Sequence, residues 1–266
     1  MGLKNRIYED YFKKSRLPEY KKILEIAKEN GYKMVGILDF YSMMKENPKL
    51  REKQKILINR HDIDTSPKVA REFFNIEKEV YGHEGSATYY FRESTIDKKL
   101  ISDIEAYGYE TGYHYEQLAT FEKKHKLKNV ERILEHLPEM REQFRKDLVE
   151  YRKKTNTASV TVASHGDFVN TKYDLQSVEI LKDSQIRKEL KIIVEAYDQV
   201  IEGDLDKRFA DHMLGTNFKA DVVGAINNGS NCILILMHPR NWKVDALANT
   251  KENMKRLVEG MKYSLK

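Results

Sequence analysis

Short apolar runs alternate along the chain with longer stretches in which apolar positions recur every three or four residues, the periods of buried strands and amphipathic helices. Residues 18–29 place Ile23, Leu24 and Ile26 at helical spacing, and Gly31 stops that helix. KMVGILDF, residues 33–40, reads as a buried strand, and KILINRHDID, residues 55–64, as a second. From Pro67 to Val80 the residues Val69, Ala70, Phe73, Phe74 and Ile76 form an apolar helical stripe closed by Gly82. SATYYFR, residues 86–92, has the aromatic and Thr content of a strand. A helix over 97–107 stops at Gly108, and residues 109–119 bring a short strand and a turn carrying His114 and Glu116. A long charged helix spans 128–153, and SVTVASHGD, residues 159–167, is strand-like through His165. Residues 171–190 show no clear period, 191–198 read as a strand, and a polar loop holds Asp211 and His212. NCILILMHPRNW, residues 231–242, ends the last apolar strand at His238, and Thr250 to Leu265 reads as a closing helix.

Strand and helix in regular alternation predict an α/β fold with a parallel sheet or barrel. The chain has 266 residues with no Pro/Gly/Ser-rich linker, so one domain over 1–266 is expected. The 47 basic and 42 acidic residues are interleaved, and the densest cluster, residues 122–132, lacks the aromatics that stack bases. No nucleic-acid partner is expected. Cys232 is the only cysteine and lies in an apolar run, where a thiol acts as a small hydrophobe; no internal disulfide is possible. The first residues hold no apolar stretch fit for a signal peptide or membrane span, so the expected location is cytoplasmic.

The candidate chemistry sits at strand ends. Asp62 and Asp64 are two apart, so in an extended segment both point to one side, and two like charges so close require a cation between them or a shared proton. A turn that caps the next helix through Ser66 and Pro67 is the simpler reading of the same stretch, but it leaves His61 and the doubled Asp unexplained. His114, His165 and His238 end three further strand-like segments. In a parallel α/β sheet such ends share one face, where these residues can converge.

In order, HDID at 61–64, SATYYF at 86–91, GYETGYH at 108–114 and LILMH at 234–238 resemble the motifs of the polysaccharide deacetylase, or NodB-homology, superfamily of metal-dependent carbohydrate deacetylases. The resemblance covers about residues 55–240. It implies an irregular (β/α) barrel, usually of seven strands. It also implies Asp62 as general base, Asp64 and His114 as ligands of a divalent metal, commonly zinc, and His238 as general acid. The family's H-x-x-x-H segment is broken here, because Leu118 stands where the second histidine belongs and leucine cannot bind a metal. His165 is the first candidate for the third ligand, with Glu116 and His61 in reserve. Arg60, Tyr113, Glu116, Arg240 and Trp242 are the candidate substrate contacts, with core packing or loop capping as the alternative for the aromatic residues and Arg240. Asp211 is the candidate carboxylate partner of His238. The resulting expectation is a hydrolase that removes an acyl group, N-acetyl first, from a sugar or glycoconjugate precursor. A hydrolase of another C–N bond, such as a cyclic amide or imide, and a non-catalytic carbohydrate-binding protein are the alternatives.

Overall fold

The computed structural model describes residues 3–203, 205–211 and 217–264. Among the described residues eight strands, all parallel, form one sheet: β1 (Lys33–Val35), β2 (Ile56–Ile63), β3 (Thr88–Phe91), β4 (Glu110–Tyr115), β5 (Thr161–Ser164), β6 (Val194–Glu195), β7 (Lys207–Ala210) and β8 (Cys232–Met237). Their order is β6-β5-β4-β3-β2-β8-β7, with β1 beside β2. β1 pairs with Ile56 to Ile58 and β3 with Arg60 to Ile63, while β8 runs along the other side of β2, so β1 and β3 share one edge and the sheet has seven strand positions. Among the described residues β6 and β7 are not paired with each other. The fold is therefore α/β, a curled (β/α) barrel left open at one seam.

Burial follows from the pleat. All eight residues of β2 are buried, as a parallel strand covered on both faces requires. Ile56 and Ile58 face an inner cluster with Tyr90, Ala163 and Leu234, into which the helix Ile37–Glu46 inserts Phe40 and Met44. Leu57 and Ile63 face the outer cluster beneath the helices, with Phe73 and Ile235. Gly112 of β4 marks the tightest point inside: a Cβ there would lie 2.6 Å from the Tyr90 ring and 2.7 Å from the Thr161 carbonyl oxygen. Only glycine allows the strands to curl this closely.

The same alternation turns His61 outward, away from Arg60 and Asp62. Its Nε2 lies 2.5 Å from Glu77 of the helix Pro67–Tyr81, whose carboxylate also accepts from Tyr20 Oη at 2.5 Å and from Asn59 Nδ2 at 2.7 Å. His61 and Glu77 are wholly buried, so His61 is part of the core and is withdrawn as a reserve ligand. Glu77→Ala leaves these donors unpaired in the core and is expected to cost about 3–5 kcal/mol, measurable by urea unfolding.

Other boundaries differ from the sequence reading. The strand expected over 33–40 ends at Val35, and Ile37 starts a helix whose first N–H groups are taken by Thr88 Oγ1 and Glu110. The helix expected over 128–153 is two, Val130–Glu135 and Leu137–Thr155, because Pro138 can sit only in a first turn. The turn after β4 is the helix Gln117–His125. The polar loop before Asp211 contains β7, a short charged strand without an apolar run. The strand expected over 191–198 contracts to β6, and the last helix runs Ala246–Ser264. His212 lies outside the described residues.

Candidate functional site at the carboxyl end of the barrel

Arg60, Asp62 and Asp64 come off β2 on its inner side. The Arg60 guanidinium folds back on its own strand and grips Asp62 with two bonds, Nε to Oδ1 at 2.9 Å and Nη2 to Oδ2 at 2.8 Å. It is wholly buried, lying 4.4 Å over the Tyr197 ring. Burial favours a neutral Asp62, but Arg60, His114 and His238 outweigh it and lower its pKa, so the carboxylate stays charged. Asp62 Oδ2 also lies 3.5 Å from His114 Nε2.

Asp64 is the meeting point. Its Oδ1 lies 3.2 Å from His114 Nε2 and 3.6 Å from His165 Nε2, is buried, and receives no hydrogen bond of acceptable geometry. β4 and β5 are adjacent, with His114 opposite Ala163, and this pairing brings the two imidazoles to a centroid separation of 5.2 Å. His114 Nδ1 lies 2.9 Å from the Ala163 carbonyl. A carbonyl only accepts, so Nδ1 carries the proton and Nε2 is the nitrogen aimed at the carboxylates. His165 Nδ1 lies 3.1 Å from Glu116, which in turn takes both Nη2 contacts of Arg92 at 2.8 and 3.0 Å. Burial opposes charge on Asp64, yet His165 and His114 hold its carboxyl well below the usual range. Burial likewise opposes charge on His165, which Asp64 and Glu116 nevertheless push up to about 9.

Among the described residues no group of three or more His, Cys, Asp or Glu side chains stands ready-converged around one point. The donor chemistry nevertheless fits a divalent cation. An unbonded buried carboxylate oxygen faces two ring nitrogens; His114 is oriented from behind by the Ala163 carbonyl, the usual support of a metal-binding histidine, and His165 has the Glu116 carboxylate near its Nδ1 without hydrogen-bond geometry. In a tetrahedral site with bonds of about 2.1 Å, neighbouring donors lie about 3.4 Å apart; the 3.2 and 3.6 Å separations at Asp64 bracket that value. Leu118 is wholly buried in the outer core, which is why the chain has no donor there.

On the other flank, Asp211 holds His238 twice, through the backbone N–H and through Nδ1, both at 2.7 Å. Asp211 also accepts from Trp242 Nε1 at 2.7 Å and from Asn241 Nδ2 at 3.0 Å. Burial disfavours the imidazolium, but Asp211, with Asp64 and Asp62 further off, raises His238 to about 9. Its side chain keeps 17% exposure, so the site is reached from this side and over Asp64, 20% exposed.

Four of the five candidate substrate contacts are occupied in other ways, and one is partly open. Trp242 is wholly buried among Tyr20, Phe73 and Phe218, with no ring face for a sugar. Arg240 is bound to Asp10 at 2.6 Å and ties the chain's two ends together. Arg60 is committed to Asp62, and Glu116 to Arg92 and His165. Tyr113 is nearly buried against Tyr151 but lines a 790 Å³ cleft that reaches the site at His114 and Glu116. Asp62, Asp64 and His238 do not line that cleft. Arg92, not singled out from the sequence, belongs to the site through Glu116; its position directly after β3, shared with the other strand-end residues, is a signal that could have marked it.

No family model matches the chain, and no curated protein matches it. Among solved structures, a mutant of the peptidoglycan deacetylase PdaC from Bacillus subtilis is similar to it at 14% identity and a TM-score of 0.38, over 79% of this chain and 85% of that one.

Proposed function

We propose that the protein is a metal-dependent hydrolase that removes an acyl group, N-acetyl in the first instance, from the nitrogen of a sugar or glycoconjugate precursor. The observation that carries this reading is a pair of differently tuned groups that feel each other's charge: a carboxylate kept charged by Arg60, and an imidazolium kept charged by Asp211. Asp64, His114 and His165 are the residues that would hold a divalent ion, zinc first. Such an ion, when bound, polarises the acyl carbonyl and lowers the pKa of water.

The protein's own groups do the rest. Asp62 has lone pairs beyond those used by Arg60 and accepts a proton from the attacking water as its oxygen bonds to the carbonyl carbon. The Arg60 clamp keeps the carboxylate ionised and fixed in direction. As the carbon–nitrogen bond breaks, His238 donates its proton to the departing amine, which would otherwise be too basic to leave. Glu116, fixed by Arg92, keeps a negative charge beside His165. A binding protein has no use for a charged carboxylate and a charged imidazole held within electrostatic reach of each other, which sets the catalytic reading above the carbohydrate-binding one.

The test is a screen for acetate release from N-acetylated sugars and sugar conjugates, run with and without chelator and with zinc restored. Turnover that chelator removes and zinc returns is the expected result. Absence of acyl release across the panel, with release from cyclic amides or imides instead, assigns the site to the other C–N bond.

A further inference from the structure

We propose that the outer face formed by the helices Leu3–Tyr11 and Ala246–Ser264 docks on an anionic lipid surface. The closing helix is turned inside out relative to an ordinary surface helix, which buries its apolar stripe. Its buried residues are polar: Asn249 donates to the Asp10 carbonyl at 2.8 Å, and Glu252 bonds Arg92 at 3.3 Å. Its apolar residues point outward, with Leu247 65%, Met254 62% and Leu257 64% exposed and Val258 and Met261 beside them. At 3.6 residues per turn, Leu247, Met254, Val258 and Met261 fall within about 60° of one another. The first helix packs beside it through Tyr11 and Thr250 and adds exposed Ile7, Tyr8 and, just beyond its end, Phe12. Among the described residues, eight of the twelve exposed large hydrophobics lie on these two neighbouring segments. So concentrated an apolar patch calls for a cover.

Charge selects the cover. Lys251, Lys255 and Lys262 are exposed in the sector adjoining the apolar stripe, and Lys14 is exposed beyond the first helix. The acidic residues of the closing helix are drawn inward instead, Glu252 to Arg92 and Glu259 to Lys123 at 3.0 Å. Two copies meeting on this face would press like charges together, whereas anionic headgroups neutralise them. An apolar stripe flanked by lysines is the pattern of a helix lying in a membrane interface. No described helix is long and apolar enough to cross a membrane, so the contact is with the surface only. The helix lies over the same end of the barrel as the site, and a 340 Å³ cleft beneath it is lined by His165, Arg92, Glu252 and Lys255. Docking would bring the site to the headgroups. The inference does not depend on the reaction proposed above.

The test is cosedimentation of the full chain with vesicles of phosphatidylcholine alone and of phosphatidylcholine mixed with phosphatidylglycerol. Binding to the mixed vesicles that weakens with salt is expected. The combined variant Met254→Ser, Leu257→Ser, Met261→Ser should weaken it more than about tenfold, and Lys251→Gln with Lys262→Gln roughly fivefold per lysine, with far-UV circular dichroism unchanged. Failure to bind mixed vesicles even at low salt, or binding that the serine variant leaves intact, overturns the proposal. So does dimerisation through this face, lost in the serine variant, without vesicle binding.

Discussion

Asp64→Ala is expected to leave the purified protein without bound divalent metal, and the unaltered chain is expected to carry close to one ion per molecule. Among the described residues Asp64 alone is approached by both imidazole Nε2 atoms, so its loss removes the common anchor. His114→Ala and His165→Ala should each lower metal affinity by at least about 100-fold, since removal of a mere supporting residue already costs about 10–100-fold. Metal content by elemental analysis and affinity by competition with a chromophoric chelator check this without reference to activity. The His165 variant is the discriminating one: unchanged affinity there would mean that the donor missing at Leu118 is replaced from elsewhere or not at all.

Asp62→Asn and His238→Ala should instead retain metal and lose turnover, each by about 100- to 10,000-fold, the ordinary worth of a positioned base or acid. Full activity of either variant on an acyl-sugar substrate would overturn the division of roles. The pH dependence gives an independent reading. His238 is raised to about 9 and is proposed as the acid, so turnover should persist below that pH and fall as pH rises through it. The stability supplied by the Asp211–His238 pair has the same sign. It is fully present below the ordinary histidine pKa of about 6.5 and is lost as pH rises through about 9. In Asp211→Asn only burial and the more distant aspartates remain, so the alkaline limb of the rate profile should move down toward the ordinary histidine range.

Much of this site could be read from strand periodicity alone. A period of two places Asp62 and Asp64 on one side of β2, and the end-of-strand positions of His114, His165 and His238 follow from where each apolar run stops. The same period placed Arg60 on the face of Asp62, yet nothing in the sequence says that the guanidinium turns onto its neighbour instead of toward a substrate. Trp242 and Arg240 follow a strand end as functional residues do, but their partners, Asp211 and Asp10, come from distant parts of the chain. The strand Lys207–Ala210 was hidden because it buries little: a short run with two basic residues carries no apolar signature, and pairing with β8 alone makes it a strand. Glu116 and Arg92 show their role only when the adjacency of β4 and β5 brings His165 alongside.

The open seam of the barrel has a consequence for solubility. Among the described residues β6 and β7 each pair with a strand on one side only, leaving edges of the kind that recruit strands from other molecules, although Asp198 already occupies the Glu195 N–H of β6. One edge is only two residues long, and the other carries Lys207 and Arg208 in its four. So little edge, and so much charge on it, discourages the sheet from growing into its neighbours, and the chain can leave its barrel unclosed without inviting aggregation.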